Sequence, residues 1–508
     1  MREKNEEFIL TPPPRSEPRI NGAKIFGVRP GSPFLFKVTA TGEKPLTFKA
    51  EKLPKGLYIN QQTGLITGTI DQKGSFEVKL QVSNTHGKAE RILKIEVGEK
   101  ICLTPPMGWN SWYVYSLWVS QDKIEDTAKA LVEKDLINHG WTYVNIDDCW
   151  QGSRDMNGSK ALQPNAKFPD MKKMVDFIHG LGLKVGIYST PWAGSYAGYL
   201  GGSIPNPTAD YSEWTIDPKE RVEKYQIFGN GRANRKKLRF FGKEMAAFDV
   251  KQWADWGFDY LKYDWTPNDI EHITSMQLEL LKSGRDMVYS LSNHASITIA
   301  NDLIRLANVW RTTTDIRDDW FNISRIGFSQ SKWAPFSGPG HWNDPDMLQI
   351  GNTAHPHSPT LDIFPTHLTA DEQYTQMSLW CLLAAPLLVS CDLNSLDKFT
   401  LSLLTNDEVI DVNQDPLGKA ATRIKRKFFI QTEAWAKPLE DGAYAIGLFN
   451  RSSKKKKVQI SWQECGLTGD FKVRDLWRQQ DLGVFSTHFE TLVNAHGVVL
   501  IKIEKSKH

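Results

Sequence analysis

The chain has 508 residues, a formal net charge of +3 and 18 tryptophans. That length exceeds what one core of ordinary size organises and predicts two to four domains. The near-balanced charge, with its basic residues dispersed, excludes nucleic acid or an anionic membrane as the organising partner. No stretch is long and apolar enough to span a bilayer, and the start, Met1-Arg2-Glu3-Lys4-Asn5-Glu6, has no apolar segment of signal-peptide type. The five cysteines, Cys102, Cys149, Cys381, Cys391 and Cys465, are odd in number and lack metal-ligand spacing, so no complete disulfide framework is implied. Several tryptophans stand beside carboxylates, as in Asp148-Cys149-Trp150, Asp264-Trp265 and Trp342-Asn343-Asp344. An aromatic face next to polar anchors suits a sugar, whose C–H faces are apolar while its hydroxyls need directed partners.

In chain order, residues 1–18 are polar and proline-rich, with Pro12-Pro13-Pro14, and read as a linker. Over residues 19–98 short alternating runs, such as Phe34-Leu35-Phe36-Lys37-Val38, are separated by Gly, Asn and Pro turns, which predicts a small antiparallel β-sandwich. With Leu53-Pro54-Lys55-Gly56-Leu57 and Thr63-Gly64-Leu65-Ile66-Thr67-Gly68-Thr69, this segment resembles the immunoglobulin-like modules attached to many bacterial surface and secreted enzymes. The resemblance implies a spacing or bracing role.

Residues 104–418 alternate strand-like and helical stretches. The strand-like runs are residues 107–112, 143–148, 185–188, 260–264, 288–292, 309–312, a stretch ending at Asp344-Pro345-Asp346, and 386–390. The clearest helix is residues 124–137, with Ile124, Ala128, Leu131 and Leu136 along one face; residues 171–181 and 270–281 behave similarly. Strand and helix alternating eight times predict an α/β fold, a (β/α)8 TIM barrel. In that fold the active site lies at the C-terminal ends of the strands. Asp147, Asp148, Tyr188, Asp264, Ser292, Arg311, Asp344 and Asp346 all fall at or just beyond such ends. A ring of carboxylates there needs cations, shared protons or a hydroxyl-rich ligand. Residues 193–245 read as a long insertion after the third strand, expected to shape a cleft or lid. Residues 419–508 return to alternating runs and predict a C-terminal antiparallel β-sandwich. Their one basic run, Lys454 to Lys457, reads as a solvated hairpin turn.

Two carboxylates across a site, one nucleophile and one acid/base, are the minimum for retaining glycoside hydrolysis. Asp264, closing Leu261-Lys262-Tyr263-Asp264-Trp265, is one candidate and Asp315 the other. For each the competing reading is an N-cap of the helix that follows, and for Asp318 and Asp319 the cap is preferred.

At these residues the chain resembles glycoside hydrolase family 27, the family of α-galactosidases and α-N-acetylgalactosaminidases. The matching pieces are Pro106-Met107-Gly108-Trp109-Asn110-Ser111-Trp112, Ile146-Asp147-Asp148-Cys149-Trp150, Gly186-Ile187-Tyr188, Lys262-Tyr263-Asp264, Trp310-Arg311 with Asp315, and Gly338-Pro339-Gly340-His341-Trp342-Asn343-Asp344-Pro345-Asp346-Met347-Leu348. They run in family order through the whole barrel, and the distal β-sandwich fits as well. The resemblance implies a retaining exo-glycosidase that hydrolyses terminal α-D-galactosyl residues through a covalent glycosyl-Asp intermediate, with no metal or organic cofactor. Carried over by position, Asp264 resembles the nucleophile and Asp315 the acid/base. Asp147 and Asp148 look like the pair gripping the 4- and 6-hydroxyls, and Trp109 like the aromatic wall. Lys262 and Arg311 resemble the sugar-binding cations, with Tyr188 and Met347 also lining the pocket. Lys262 and Arg311 are expected to keep Asp264 ionised, while Asp315 should sit in a less cationic place.

In animal members the loop after the fifth strand separates two activities: Glu with a Leu three residues later favours galactose, Ser with Ala leaves room for an N-acetyl group. Ser292 and Ala295 have the second spacing, whereas Leu291 and Asn293-His294 depart from the family's neighbouring Cys and Trp-Pro. The expectation is α-galactosidase first and α-N-acetylgalactosaminidase second. A β-L-arabinopyranosidase would fill the space left by the missing hydroxymethyl group, and Asp147-Asp148 without a Glu argues against it. A non-catalytic glycan-binding protein is disfavoured by the presence of both Asp264 and Asp315. The implied partner is an α-galactoside oligosaccharide, polysaccharide or glycoconjugate, and the activity with its attached module implies a periplasmic or extracellular location.

Overall fold

A computed structural model describes residues 8–204, 239–356, 358 and 360–506. Its centre is a ring of eight short parallel strands: β1 (Met107–Asn110), β2 (Tyr143–Asn145), β3 (Lys184–Ser189), β4 (Tyr260–Asp264), β5 (Val288–Ser292), β6 (Val309–Arg311), β7 (Trp342–Asp344) and β8 (Leu387–Val389). They are hydrogen-bonded in the order β7-β6-β5-β4-β3-β2-β1-β8. A parallel bridge from Leu348, just past β7, to Val389 of β8 closes the ring. The strands are almost wholly buried because helices cover their outer face, which is why they read as apolar runs rather than as alternation. Gly186 shows how tightly the interior is filled: a Cβ there would come within 2.1 Å of Asn145 Oδ1. All eight strands fall within or at the expected runs.

Helices follow each strand. The first, Gln121–Glu133, buries Ile124, Ala128 and Leu131, but it does not continue to residue 137. Asp135 adopts φ 62°, and the chain restarts as a separate turn of 3-10 helix, Leu136–His139. A left-handed residue cannot extend an α-helix, so the apolar periodicity spans two elements. The helices expected over residues 171–181 and 270–281 are Met171–Gly180 and Ile270–Lys282. Among the described residues no helix is long and apolar enough to cross a membrane, and all five cysteines are free thiols. Among the described residues twelve tryptophans are fully buried, Trp150, Trp265 and Trp342 included, so these three build core and offer no face to a ligand.

The N-terminal domain packs a four-stranded sheet (Ile25–Val28, Gly87–Val97, Gly74–Asn84, Thr47–Glu51) on a three-stranded one (Phe34–Lys37, Leu65–Gly68, Leu57–Ile59). Its first strand runs parallel to Gly87–Val97; the other pairings are antiparallel. The module covers the N-terminal end of the barrel: Phe26, Leu35 and Lys37 face Tyr143, Lys184 and Val288 across the seam. There Lys184 Nζ sits 4.5 Å from the Phe26 ring centroid. Asp286 accepts from Arg29 N at 2.9 Å and Ser32 Oγ at 3.2 Å, and pairs with the Arg29 guanidinium at 3.6 Å. Residues 8–11, expected to be linker, lie against the barrel: Thr11 N and Oγ1 bond Ser402, and Tyr374 Oη donates to Ile9 O.

The C-terminal domain is antiparallel, a six-stranded sheet (Thr422–Lys427, Thr432–Pro438, Tyr444–Asn450, Val498–Lys505, Phe471–Asp475, Gln480–Phe485) and a pair Lys456–Ser461 and His488–Val493. Trp477 Nε1 donates to Ser378 Oγ at 2.8 Å, and Arg474 forks onto Glu408 with two bonds of 2.8 Å, fixing this domain to the barrel's last helices.

The Asp286 contacts hold the module to the end of the barrel opposite the strand C-termini. Asp286→Ala is expected to cost about 1–3 kcal/mol by leaving its partners unsatisfied. Thermal unfolding should shift down while kcat and KM on a small substrate stay at wild-type values; a shifted KM would contradict this placement.

Candidate active site

Lys262 and Asp264 are two residues apart on β4, so their side chains leave the same face of the strand, and both reach a cavity at the C-terminal end of the barrel. The cavity measures about 160 Å3, the scale of one sugar ring. Asp147, Asp148, Tyr188, Arg311, Asp315 and Met347 line it too, so eight of the eleven expected residues meet there. Trp109, Ser292 and Ala295 do not line it. Trp109 is fully buried, its indole Nε1 donating to Cys391 O at 2.8 Å. Ser292 is buried at the end of β5, its carbonyl accepting from Trp265 N and Asn268 Nδ2; Ala295 is buried with its N–H on Arg311 O.

Neither candidate carboxylate caps a helix. The helix after β4, Ile270–Lys282, is capped by Asp269, which accepts from His272 N at 3.0 Å. The helix after β6, Trp320–Gly327, is capped by Asp319, which accepts from Asn322 N at 2.9 Å. Asp318, expected as a possible cap, instead accepts from His367 N at 3.0 Å and holds its ring at 2.7 Å. Asp264 Oδ1 is buried without a hydrogen-bond partner among the described residues. Asp315 stands on the β6 loop, 64% exposed, 3.3 Å from both Arg311 Nη2 and Asn293 Nδ2.

The cations are committed elsewhere. Lys262 Nζ is 2.7 Å from Asp147 Oδ2, which also accepts from Asn110 Nδ2 at 2.8 Å. Arg311 Nη2 is 2.7 Å from Asp346 Oδ2, and Asp346 in turn accepts from Ile316 N at 2.8 Å, pinning the loop that carries Asp315. Burial therefore dominates at Asp264: its carboxyl is pushed up to about 7, with Lys262 opposing and the Asp315 and Asp147 charges reinforcing. Lys262 and Arg311 do act to keep Asp264 ionised, as expected, but burial outweighs both. Nor does Asp315 avoid cations, since Arg311 touches it. Burial likewise raises Asp148 and takes Asp344 to about 6. Lys262 loses hydration too, yet Asp147 and Asp264 outweigh that and hold it above the ordinary lysine value.

Asp148 accepts from Ala197 N at 2.9 Å and Gln151 Nε2 at 3.0 Å, tying it to the segment after β3. A buried bidentate pair steadies that segment: Arg154 Nη1 and Nη2 meet Asp249 at 2.7 and 2.9 Å, and Nη2 also donates to Gly201 O at 2.9 Å. The expected insertion of residues 193–245 is described only at its ends, and residues 205–238 lie outside the described residues. The ends supply Tyr196 and Arg239 to the cavity, whose remaining lining is Trp112, Tyr113 and Asn293. The sequence reading missed these five. Asn293 had a signal, being the next residue past a strand end already singled out; Arg239 had none, since it arrives from a segment without periodicity.

Among the described residues, buried polar atoms around the cavity lack partners: Tyr188 Oη, Tyr196 Oη, Asp264 Oδ1, Asn293 Oδ1, Arg239 Nε and Arg311 Nε. Directed polar atoms of this kind suit a ligand that brings its own donors and acceptors. Among the described residues no group of three or more His, Cys, Asp or Glu side chains is arranged to hold a metal ion.

Comparison with known proteins agrees with this geometry. A family model described as "Alpha galactosidase A" matches residues 104–221 and 239–415, "Alpha galactosidase C-terminal beta sandwich domain" matches 430–503, and "Putative Ig domain" matches 17–98. Alpha-galactosidase 2 of Arabidopsis thaliana is 32% identical over 414 residues, covering 80% of this chain and 91% of that protein. A Bacteroides fragilis structure described as a "putative alpha-galactosidase" superposes with TM-score 0.82 at 28% identity, covering 97% of this chain and 99% of that one, N-terminal module included. A β-L-arabinopyranosidase of Geobacillus stearothermophilus superposes with TM-score 0.66 at 28% identity, covering 80% and 97%. With both barrel and distal sandwich matched in order, the chain belongs to glycoside hydrolase family 27.

Proposed function

We propose that the protein is a retaining exo-α-galactosidase in which Asp264 is the nucleophile and Asp315 the acid/base. The observation that carries this is the pair of carboxylates that line a one-sugar cavity and cap no helix, one sealed and unpartnered, the other exposed. Asp264, rigid at the end of β4, attacks the anomeric carbon; Asp315, at the open side, gives its proton to the leaving oxygen and then takes one from water. Hydroxyls of the bound sugar satisfy Tyr188, Asp147 and Asp148. Trp109 stands outside the lining, fully buried, with its ring 5.8 Å from that of Tyr115.

Galactose is favoured over N-acetylgalactosamine because Ser292 and Ala295, whose small size was the argument for the acetamido sugar, do not face the cavity; Asn293 does. The substrate is an α-galactoside oligosaccharide, polysaccharide or glycoconjugate. The immunoglobulin-like module, seated away from the cavity, supports a periplasmic or extracellular setting in which a braced barrel is of use.

Two measurements test the reading. Asp264→Asn should lower kcat/KM on an aryl α-galactoside by about a thousandfold or more. It should also stabilise the fold in a pH-dependent way. A carboxyl raised from 3.8 to about 7 binds its proton more tightly in the native state. Wild type therefore loses stability relative to the Asn variant as pH rises from about 4 to 7, by about 1.4 kcal/mol per unit at most, with no further change above. A Tm difference independent of pH would contradict the buried, unpartnered Asp264. Second, side-by-side assays should give a higher kcat/KM for aryl α-galactoside than for aryl α-N-acetylgalactosaminide; the reverse order would overturn the substrate assignment.

A further inference from the structure

A cleft of about 630 Å3, roughly four times the 160 Å3 of the candidate active site, opens between the barrel helix Trp320–Gly327 and the hairpin of Thr422–Lys427 and Thr432–Pro438. Its floor is a cluster of charge. Buried Glu433 receives Arg451 at 2.6 Å, Arg426 at 3.5 Å and Arg423 at 3.6 Å. Arg325 and Lys427 add two more cations, so five positive side chains and one carboxylate line the cleft. The guanidiniums are held in place: Arg451 lies 4.5 Å from the Phe328 ring centroid and donates Nε to Ser324 Oγ at 3.2 Å, and Arg423 lies 5.7 Å from that of Trp435. Along the rim two aromatic rings face solvent, Phe321 at 70% and Phe428 at 68% exposure.

An interdomain ion-pair network on Glu433 neutralises only one of these five positive charges. It does not account for four surplus positive charges beside exposed aromatic rings. Fixed guanidiniums suit planar or tetrahedral anions, and aromatic rings suit the C–H faces of sugars. We infer that this cleft is an accessory site for an anionic polysaccharide bearing sulfate or uronate groups, with sugar rings on Phe321 and Phe428 and anions on the arginine cluster. The wall helix starts at Trp320, on the loop that carries Asp315, so a chain lying in the cleft is kept beside the barrel's open face. The site is independent of which glycoside the barrel hydrolyses.

The test is affinity electrophoresis of the full chain in native gels containing ι-carrageenan, polygalacturonate or neutral galactomannan. The wild type should be retarded by at least one anionic polymer and little by galactomannan, the stronger of the two identifying sulfate or uronate. Arg426→Ala with Lys427→Ala should weaken that binding about tenfold, and Phe321→Ala should weaken it too. Lys454→Ala with Lys455→Ala, which removes the same charge from another loop, should bind as the wild type does. Hydrolysis of a small aryl glycoside should be unchanged in all three. The inference is overturned if neither anionic polymer retards the wild type, if the Lys454/Lys455 variant loses binding equally, or if Arg426→Ala with Lys427→Ala instead changes the sedimentation coefficient, which would mark a contact between copies.

Discussion

Everything at the open end of the barrel follows from burying more carboxylates than there are cations to pair with them. Asp147, Asp148, Asp264, Asp344 and Asp346 are all at least nine-tenths buried, against three cations in the cavity lining, Lys262, Arg311 and Arg239. Carrying a carboxylate out of water costs several kcal/mol. A cation 4 Å away returns about 4 kcal/mol at the effective dielectric of such sites. Only direct, hydrogen-bonded pairing therefore offsets the cost. Asp147 has it from Lys262 and Asp346 from Arg311, which leaves Asp264 with long-range help alone. Burial therefore lifts the Asp264 carboxyl to about 7. In the proposed reaction a bound sugar shifts the balance toward the ionised form by supplying hydroxyl donors.

Holding such a site open requires rigidity from outside it. The ring of strands supplies most of this, since side chains at strand ends move only with the barrel. The loops that complete the site are fixed one by one: Ile316 on Asp346 beside Asp315, Ala197 on Asp148, and the Arg154–Asp249 pair under the segment that brings Tyr196. The flanking domains work at a distance. One seals the barrel's lower end through Asp286 and Lys184, and the other clamps its last helices through Arg474 and Trp477.

The barrel and most of the cavity were legible because both depend on strand ends, which apolar runs mark clearly. Asp264 and Asp315 could each be read as a cap, and local sequence alone had no means to decide. The true caps, Asp269 and Asp319, lie only four or five residues downstream. Tryptophan was the misleading signal. Trp150, Trp265 and Trp342 stand within two residues of carboxylates in sequence yet are fully buried in the core, Trp342 packing with Tyr260, Val288 and Val309. Asn293 lines the cavity from just past the end of β5, where strand alternation no longer sets a side chain's direction, so the register that pairs Ser292 with Asp264 did not reveal it. Tyr196 and Arg239 were illegible for a different reason: their positions are set by long-range packing of a segment that carries no periodic pattern.

The central claim is that Asp264 forms a covalent bond to the sugar, and the most direct measurement is to trap that bond. A fluorinated, activated α-galactosyl donor that loads the enzyme faster than it is released should leave one galactosyl unit per chain. Peptide mapping by mass spectrometry should place it on Asp264. Label on Asp315 or another residue, or sustained turnover of the donor with Asp264 replaced by Ala, would contradict the account.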